Sequence, residues 1–245
     1  MAPCFASRQP ADGEFEEVHG PLPAPRVTPP AYRVSDVDLL PRTHYDEVLV
    51  AVGDPPLKTR RWTRVEYERL VKQGVFGEDE RLELLDGLLV VREPQGSRHG
   101  AAITAVQRVL AGAFGDNHVI RPQLPVALDD TSEPEPDLVV VSGGPWDYLH
   151  GHPTTPLLLV EIAETSLALD RRHKGGLYAR AGIADYWIVN LVDAVLEVYR
   201  EPGPAPTARF RWEYRSVQIL SRDASVSPLA APDARIAVAD LLPPT

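Results

Sequence analysis

Short apolar runs separated by turn residues predict a β-sheet through the middle of the chain. The runs at 136–141 and 157–162 are bounded by prolines or glycines, and a length of about 5 to 6 residues is typical of buried strands. Residues 185–190 and 195–200 are rich in aromatic and β-branched side chains and predict two further strands joined around Asp193-Ala194. Tyr186 and Trp187 are therefore interpreted as core residues rather than as residues that stack on bases.

Helical periodicity predicts helices around this sheet. Residues 99–114 carry one apolar stripe, and a second helix is expected to begin at Thr165 or Ser166 and to end at Gly182. Gly175 and Gly176 inside that helix cost about 1 kcal/mol each relative to alanine, which indicates close backbone packing or a flexible first turn. A third helix is predicted after Thr63, which has Glu66 three residues later as in a capping box, and this helix should end at Gly74.

Asp86-Gly87 between two apolar runs predicts a β-hairpin over residues 82–91 with a type I′ turn. Alternation places Glu83 on the face opposite Leu82 and Leu84, and spacing alone favours a solvated strand residue. Further along, residues 209–220 predict another strand or hairpin, and residues 234–242 a short strand or helix.

Composition divides the chain into three expected parts. Residues 1–57 are rich in proline and predict a mostly irregular extension, with a short edge strand within residues 47–52. Residues 58–202 form the expected core, and residues 203–245 should complete the same domain. Because no apolar run approaches the ~20 residues that span a bilayer, and Cys4 is the sole cysteine, we expect no membrane association and a cytoplasmic location.

The two central strands carry the candidate chemistry. If residues 136–141 and 157–162 pair antiparallel, Asp137 comes next to Glu161. Two buried carboxylates repel each other unless a proton or cation lies between them, and oxygen ligands suit a hard ion such as Mg²⁺ or Mn²⁺. Lys174 would add a positive charge able to orient water or stabilise a phosphate in its transition state. These are the parts of a metal-assisted phosphodiesterase. Without the upstream carboxylates, Asp170 and Lys174, which lie one helical turn apart, would instead be interpreted as an exposed ion pair.

Several short motifs occur in a specific order and spacing: residues 83–87, His99, residues 136–138, residues 160–163, Lys174, residues 178–182 and residues 185–189. With these motifs the chain, over roughly residues 60 to 202, resembles the Uma family of restriction endonucleases within the PD-(D/E)XK nuclease superfamily. The resemblance implies an α/β (α+β) restriction-endonuclease-like core, in which a central mixed β-sheet is flanked by helices, and DNA as the substrate.

The resemblance also implies roles for individual residues. Asp137 and Glu161 would bind metal together with the backbone carbonyl of Ile162, and Lys174 would position or activate the water. The third position of the family's E-x-K element is Ala163 in this chain, and the lysine would come from the following helix instead. Glu83 would help the metal site. His99 would orient a phosphate or water, whereas a capping or packing role is the alternative for a lone histidine at the start of a helix.

A net charge of −10 argues against broad non-specific binding to nucleic acid. Three basic clusters, at residues 58–62, 171–174 and 209–212, are expected to offset this by lining a single groove. The long loop at 142–156 is expected to cover the site or to touch substrate bases. A homodimer is a further expectation, because cutting both strands of a duplex needs two sites.

Two other functions fit the same residues. A nuclease fold without catalysis would bind nucleic acid or protein through the basic clusters. A glycosidase would use Asp137 and Glu161 as acid and base without metal, although the nearby lysine gives no reason to expect it.

Overall fold

A six-stranded mixed sheet forms the centre of the computed structural model, which describes residues 45–48, 57–77, 80–92 and 94–244. These residues belong to one compact unit, residues 43–245, and most of the predicted extension over residues 1–57 lies outside the described ranges. The strands in chain order are β1 (Tyr45–Val48), β2 (Leu57–Arg60), β3 (Leu82–Leu85), β4 (Leu88–Val91), β5 (His118–Pro122), β6 (Leu138–Ser142), β7 (Leu158–Ala163), β8 (Asp185–Asn190), β9 (Val195–Pro204), β10 (Trp212–Leu220), β11 (Ser225–Val226) and β12 (Ile236–Ala237). The helices are α1 (Arg64–Lys72), α2 (Ser97–Phe114), α3 (Leu167–Leu169) and α4 (Gly175–Arg180), with a π-helical turn over Asp170–Lys174 and 3₁₀ turns at Pro145–Tyr148 and Val238–Leu241.

The sheet has the order β10-β9-β8-β7-β6-β5, and only β7 and β8 run parallel. A parallel pair needs a long crossover, which here is the helical segment from α3 through α4. This arrangement confirms the predicted α/β core, a mixed sheet flanked by helices.

Alternating side chains of the central strands pack into two separate hydrophobic cores, one on each face of the sheet. Leu138 and Val140 of β6 face the side covered by α2 and by the C-terminal residues, whereas Val139 and Val141 face the side covered by α4. Tyr186 and Trp187 are fully buried, on opposite faces, which confirms their interpretation as core residues. Within the described residues, no helix is long and apolar enough to cross a membrane.

Local signals in the sequence are confirmed at several turns. Asp86 and Gly87 have φ angles of 50° and 78°, so the β3–β4 hairpin turns through two left-handed residues as a type I′ turn requires. Thr63 and Glu66 form the capping box of α1. The last helix ends where Gly182 takes a φ of 76°.

The segment α3–π turn–α4 packs unusually close to its neighbours at two glycines. A Cβ on Gly176 would lie 2.7 Å from Phe210 Cδ2, and one on Gly175 would lie 3.2 Å from the carbonyl oxygen of Asp170. The π turn widens the helix by one residue at this point, which shifts Lys174 relative to a regular α-helix. Close backbone packing is therefore the reason for the two glycines.

Two expectations need correction. The 142–156 loop does not cover the carboxylates: β6 carries the chain away from Asp137, roughly 17 Å at about 3.3 Å per residue, before the loop begins. None of its residues lines the cleft beside Asp137. The predicted N-terminal strand begins earlier, at Tyr45, and pairs with β2 in a separate two-stranded sheet. Residues 49–52 of that prediction lie outside the described residues.

Candidate active site

Asp137 and Glu161 lie side by side at one end of the sheet. The register of β6 and β7 is antiparallel, with Leu138 opposite Val160, as expected from the two apolar runs. Asp137 directly precedes β6, and its backbone N–H points to Glu161 Oε2 at 3.4 Å. The Ile162 N–H donates to Asp137 Oδ2 at 2.8 Å, so main-chain groups fix both carboxylates.

Lys174 places its ammonium group between carboxylates of two different sheets. Its Nζ lies 3.2 Å from Glu161 Oε1 and 3.2 Å from Glu83 Oε1. Lys174 is only 4% exposed and Asp170 only 2%, which excludes the alternative of an exposed ion pair. The sheet and the β3–β4 hairpin cover this face of the helix, and Asp170 instead accepts a hydrogen bond from Ser166.

Glu83 is 2% exposed, and the interpretation as a solvated strand residue is also wrong. Besides its contact with Lys174, the Glu83 carboxylate accepts a hydrogen bond from the Glu135 N–H at 3.1 Å. The residue does lie on the face opposite Leu84, as alternation predicts. That face packs against the α3–α4 helical segment instead of facing water.

His99 contacts Asp137 from the first turn of α2. Its Nε2 lies 3.1 Å from Asp137 Oδ1, and Gln95 Nε2 donates to the same oxygen at 3.3 Å. The structure thus brings His99 to the carboxylates, alongside a glutamine that was not predicted from the sequence. No local signal distinguishes Gln95, because it lies in the irregular chain before α2.

Two other residues at the cluster were also missed. The Tyr178 hydroxyl donates to Glu161 Oε1 at 2.7 Å, and its position one turn after Lys174 was the available signal. Arg92 follows β4; its Nη1 donates to Glu135 Oε2 at 2.6 Å and its Nη2 lies 3.9 Å from Asp137 Oδ1. Arg92 therefore brings a second cation to the acidic cluster.

Burial and mutual repulsion set the protonation of the carboxylates. Burial, together with the charges of Asp170, Asp137 and Glu83, raises the pKa of Glu161 to about 8 despite the opposing effect of Lys174. Burial likewise raises the pKa of Asp170 to about 6. For Asp137, burial is outweighed by hydrogen bonds from His99 and Ile162 and by the charge of Lys174, so its pKa lies below the ordinary value.

The same residues line an open cleft of about 310 Å³. Its ionisable lining comprises five carboxylates and two cations besides His99, namely Glu83, Asp137, Glu161, Glu164, Asp170, Arg92 and Lys174. Although burial lowers the intrinsic basicity of Lys174, the surrounding carboxylates raise its pKa, so it stays charged at neutral pH. The cleft is acidic and opens to solvent, although Glu83, Glu161 and Lys174 in its lining are almost fully buried.

The donors in this cleft suit a hard cation. Within the described ranges, no three His, Cys, Asp or Glu side chains are gathered as a ready ligand group. Asp137 and Glu161 would therefore need main-chain or water oxygens to complete a coordination shell, as a well-hydrated ion such as Mg²⁺ permits. Burial, followed by the charges of the neighbouring carboxylates, raises the pKa of Glu161, and a bound cation would oppose both effects by favouring the ionised side chain.

The basic clusters meet the expectation of one groove only in part. Arg171, Arg172 and Arg209 do line a common groove, but Lys174 points to the other side of its turn, into the acidic cleft. In the first cluster Arg60 pairs with Glu66 and Arg61 with Asp86. Neither Arg60 nor Arg61 lines that groove.

A mixed sheet flanked by helices, with acidic residues and a lysine at one end, defines a nuclease-type fold. It is similar to a crystal structure described as a putative nuclease belonging to DUF820 from Anabaena variabilis ATCC 29413. The TM-score is 0.54 at 17% sequence identity, covering 74% of this chain and 97% of the other. The model of the Uma2 family, described as "Putative restriction endonuclease", matches residues 64–239, and the chain belongs to this family. No curated protein matches the chain.

Proposed function

We propose that this protein is a metal-dependent endonuclease that hydrolyses phosphodiester bonds of DNA in the cleft beside Asp137 and Glu161. The observation that carries the proposal is the placement of Lys174 Nζ 3.2 Å from Glu161 Oε1, next to the Asp137 carboxylate, in an open cleft. Membership of the Uma2 family supports the reaction class. The lysine cation and the two carboxylates, which could hold a metal ion, are the groups that metal-assisted phosphodiester hydrolysis requires.

In this proposal Asp137, Glu161 and the backbone carbonyl of Ile162 hold Mg²⁺ or Mn²⁺. A divalent ion bound there would neutralise phosphate charge and lower the pKa of a coordinated water. Asp137 is suited to this role because its pKa is low and it is ionised at neutral pH. Glu161 would lose its proton on binding a cation, since the added positive charge opposes the burial and the carboxylate repulsion that raise its pKa.

The remaining residues position these groups. Lys174 would orient the attacking water or stabilise the developing negative charge on the phosphate, and Glu83 holds its ammonium group in place. His99 fixes the Asp137 carboxylate through Oδ1 and would reach a phosphate or water from the rim of the cleft. These are roles of charge and position, and none requires a histidine base.

Plasmid nicking tests the proposal. Supercoiled DNA is incubated with the protein in Mg²⁺, Mn²⁺ or a chelator, and open-circular and linear forms are separated on a gel. We expect cleavage in the divalent ions only. In Asp137→Asn and Glu161→Gln the cleavage rate should fall at least about 100-fold, because each substitution removes a proposed metal ligand. If linear DNA forms as fast as open-circular DNA, both strands are cut in one event, which would support a homodimer with two sites.

Exposed acidic residues provide matched controls. Asp116→Asn and Glu201→Gln remove one carboxylate each from positions outside the cleft and should cleave like the wild type. Absence of cleavage by the folded wild type in every ion would favour the alternative of a nuclease fold that only binds nucleic acid or protein. Sugar release that is insensitive to chelator would instead support a glycosidase.

A further inference from the structure

A second groove lies on the other side of the turn that carries Lys174. It has a volume of about 300 Å³ and is lined by the π turn, the first residues of α4, and strands β9 and β10. Arg171 and Arg172 come from the turn, Arg209 and Phe210 from the chain leading into β10, and Trp212 from the first position of β10. One helical turn therefore supplies Lys174 to the cleft and two arginines to this groove.

Two of the groove's arginines are available for a ligand. Arg171 donates to both oxygens of Glu197, at 2.9 and 2.6 Å, and so anchors the turn to β9. Arg172 and Arg209 are exposed, and neither forms a hydrogen bond or ion pair with any residue that the structure describes. The guanidinium of Arg209 lies over the Phe210 ring at 5.5 Å, which limits its movement without neutralising it.

Charge distinguishes the groove from the cleft. The lining of the groove includes three arginines and one carboxylate, Glu213, on a protein whose net charge is −10. The lining of the cleft has an excess of three negative charges when every group is ionised, and a divalent cation does not fully offset them. A polyanion such as DNA therefore gains little affinity from the cleft itself and needs positive charge nearby.

We propose that this groove binds the phosphodiester backbone of the DNA strand whose scissile bond lies in the cleft, with Arg172 and Arg209 as the phosphate contacts. The inference rests on the proposed function. The helical turn between groove and cleft is about 10 Å wide, which corresponds to roughly three phosphates along one strand. Arg172 and Arg209 thus hold the substrate a few nucleotides from the site of hydrolysis.

The test measures binding separately from cleavage. Fluorescence anisotropy of a labelled 20-base-pair duplex is recorded in EDTA, over 50 to 300 mM salt, for the full chain and its variants. For Arg172→Ala/Arg209→Ala we expect affinity at 50 mM salt to fall about tenfold or more. The slope of log K against log salt should fall by about 2, because two phosphate contacts are lost.

Two double variants serve as controls. Arg108→Ala/Arg235→Ala removes the same charge from exposed positions on α2 and near β12, outside the groove, and should keep the wild-type slope. Arg172→Lys/Arg209→Lys should recover most of the slope, since phosphate contacts need charge more than guanidinium geometry. Circular dichroism melts confirm that each variant is folded.

The outcomes separate this inference from the nuclease proposal. Asp137→Asn should bind DNA with the wild-type salt slope while losing cleavage. If the wild type never cleaves but the groove variants still lose affinity and slope, the groove is supported and the nuclease fails. Three outcomes would each overturn the groove assignment. They are equal effects of the two alanine variants on DNA binding, no DNA binding by the wild type, and displacement of DNA by polyglutamate at equal charge, which would indicate binding of any polyanion.

Discussion

At Lys174, one ammonium group compensates several buried carboxylates. Glu83, Asp137, Glu161 and Asp170 surround it, and their combined charge raises its pKa. Burial is the largest cause that raises the pKa of Glu161 to about 8, and the charges of Asp170, Asp137 and Glu83 raise it further against the opposing effect of Lys174. A cation bound beside Glu161 would favour its ionised form.

Lys174→Met tests this balance through stability. The substitution keeps the aliphatic stem but leaves Glu83 and Glu161 uncompensated, and we expect a loss of about 3 to 5 kcal/mol in the free energy of unfolding at pH 8. A carboxyl group whose folded pKa is raised destabilises the fold progressively as pH rises from its unfolded value, ~4.5, towards the folded value. The penalty should therefore be much smaller at pH 5 than at pH 8 in urea titrations.

Lys72→Met is the matched control for this measurement. Lys72 is exposed near the end of α1, and its substitution should change stability by no more than about 0.5 kcal/mol at either pH. A penalty for Lys174→Met that does not change between pH 5 and pH 8 would contradict a role in charge compensation and would indicate lost packing instead.

The sequence predicts the residues of the site better than their surroundings. The adjacency of Asp137 and Glu161 follows from antiparallel pairing of two short runs, and the observed register agrees. Glu83 shows the limit: strand alternation gives the face of a side chain but not what covers that face. Its burial depends on α3–α4, a segment more than 80 residues further along the chain, and no local pattern contains that information.

At the scale of elements, the helical segment after β7 determines where the lysine lies. Its two glycines allow a π turn to pack against Phe210 and against its own preceding turn. The composition of this segment predicts a helix and close packing. It does not predict the extra residue in the turn, because a pattern of helix-forming residues does not distinguish a π turn from a regular α-helical turn.

Gly176→Ala tests the packing of this element. The new Cβ would lie 2.7 Å from Phe210 Cδ2, so the ring must move, and we expect a loss of about 1 to 3 kcal/mol in thermal or urea unfolding. The control is Gly112→Ala in α2, where no heavy atom lies within 4 Å and alanine should stabilise the helix by about 0.5 to 1 kcal/mol. A stabilising Gly176→Ala would show that the close approach does not constrain the segment.

Across the whole molecule, the C-terminal residues close one face of the sheet. Val226, Ile236, Val238 and Leu241 are buried in the same core as α2 and the even-numbered side chains of β6. Phe210 and Tyr214 contribute to the core on the other face. The family match, residues 64–239, likewise runs through this part of the chain. These observations support the proposal that residues 203–245 complete the domain begun by residues 58–202.

Removing residues 203–245 should therefore abolish folding. The six buried side chains named above are lost with this segment, and each contributes about 1.5 to 3 kcal/mol. Their summed contribution matches or exceeds the free energy of unfolding of a typical domain, about 5 to 15 kcal/mol. Loss of β10 would also leave β9 as an unpaired edge, which favours aggregation. We expect the chain ending at residue 202 to be insoluble or to lack a cooperative melt. As a control, Leu241→Ala in the full chain should still melt cooperatively, with a loss of about 2 to 5 kcal/mol in the free energy of unfolding. A truncated chain that melts cooperatively near the temperature of the full chain would instead define residues 203–245 as an appendage, because its core would then be complete without them.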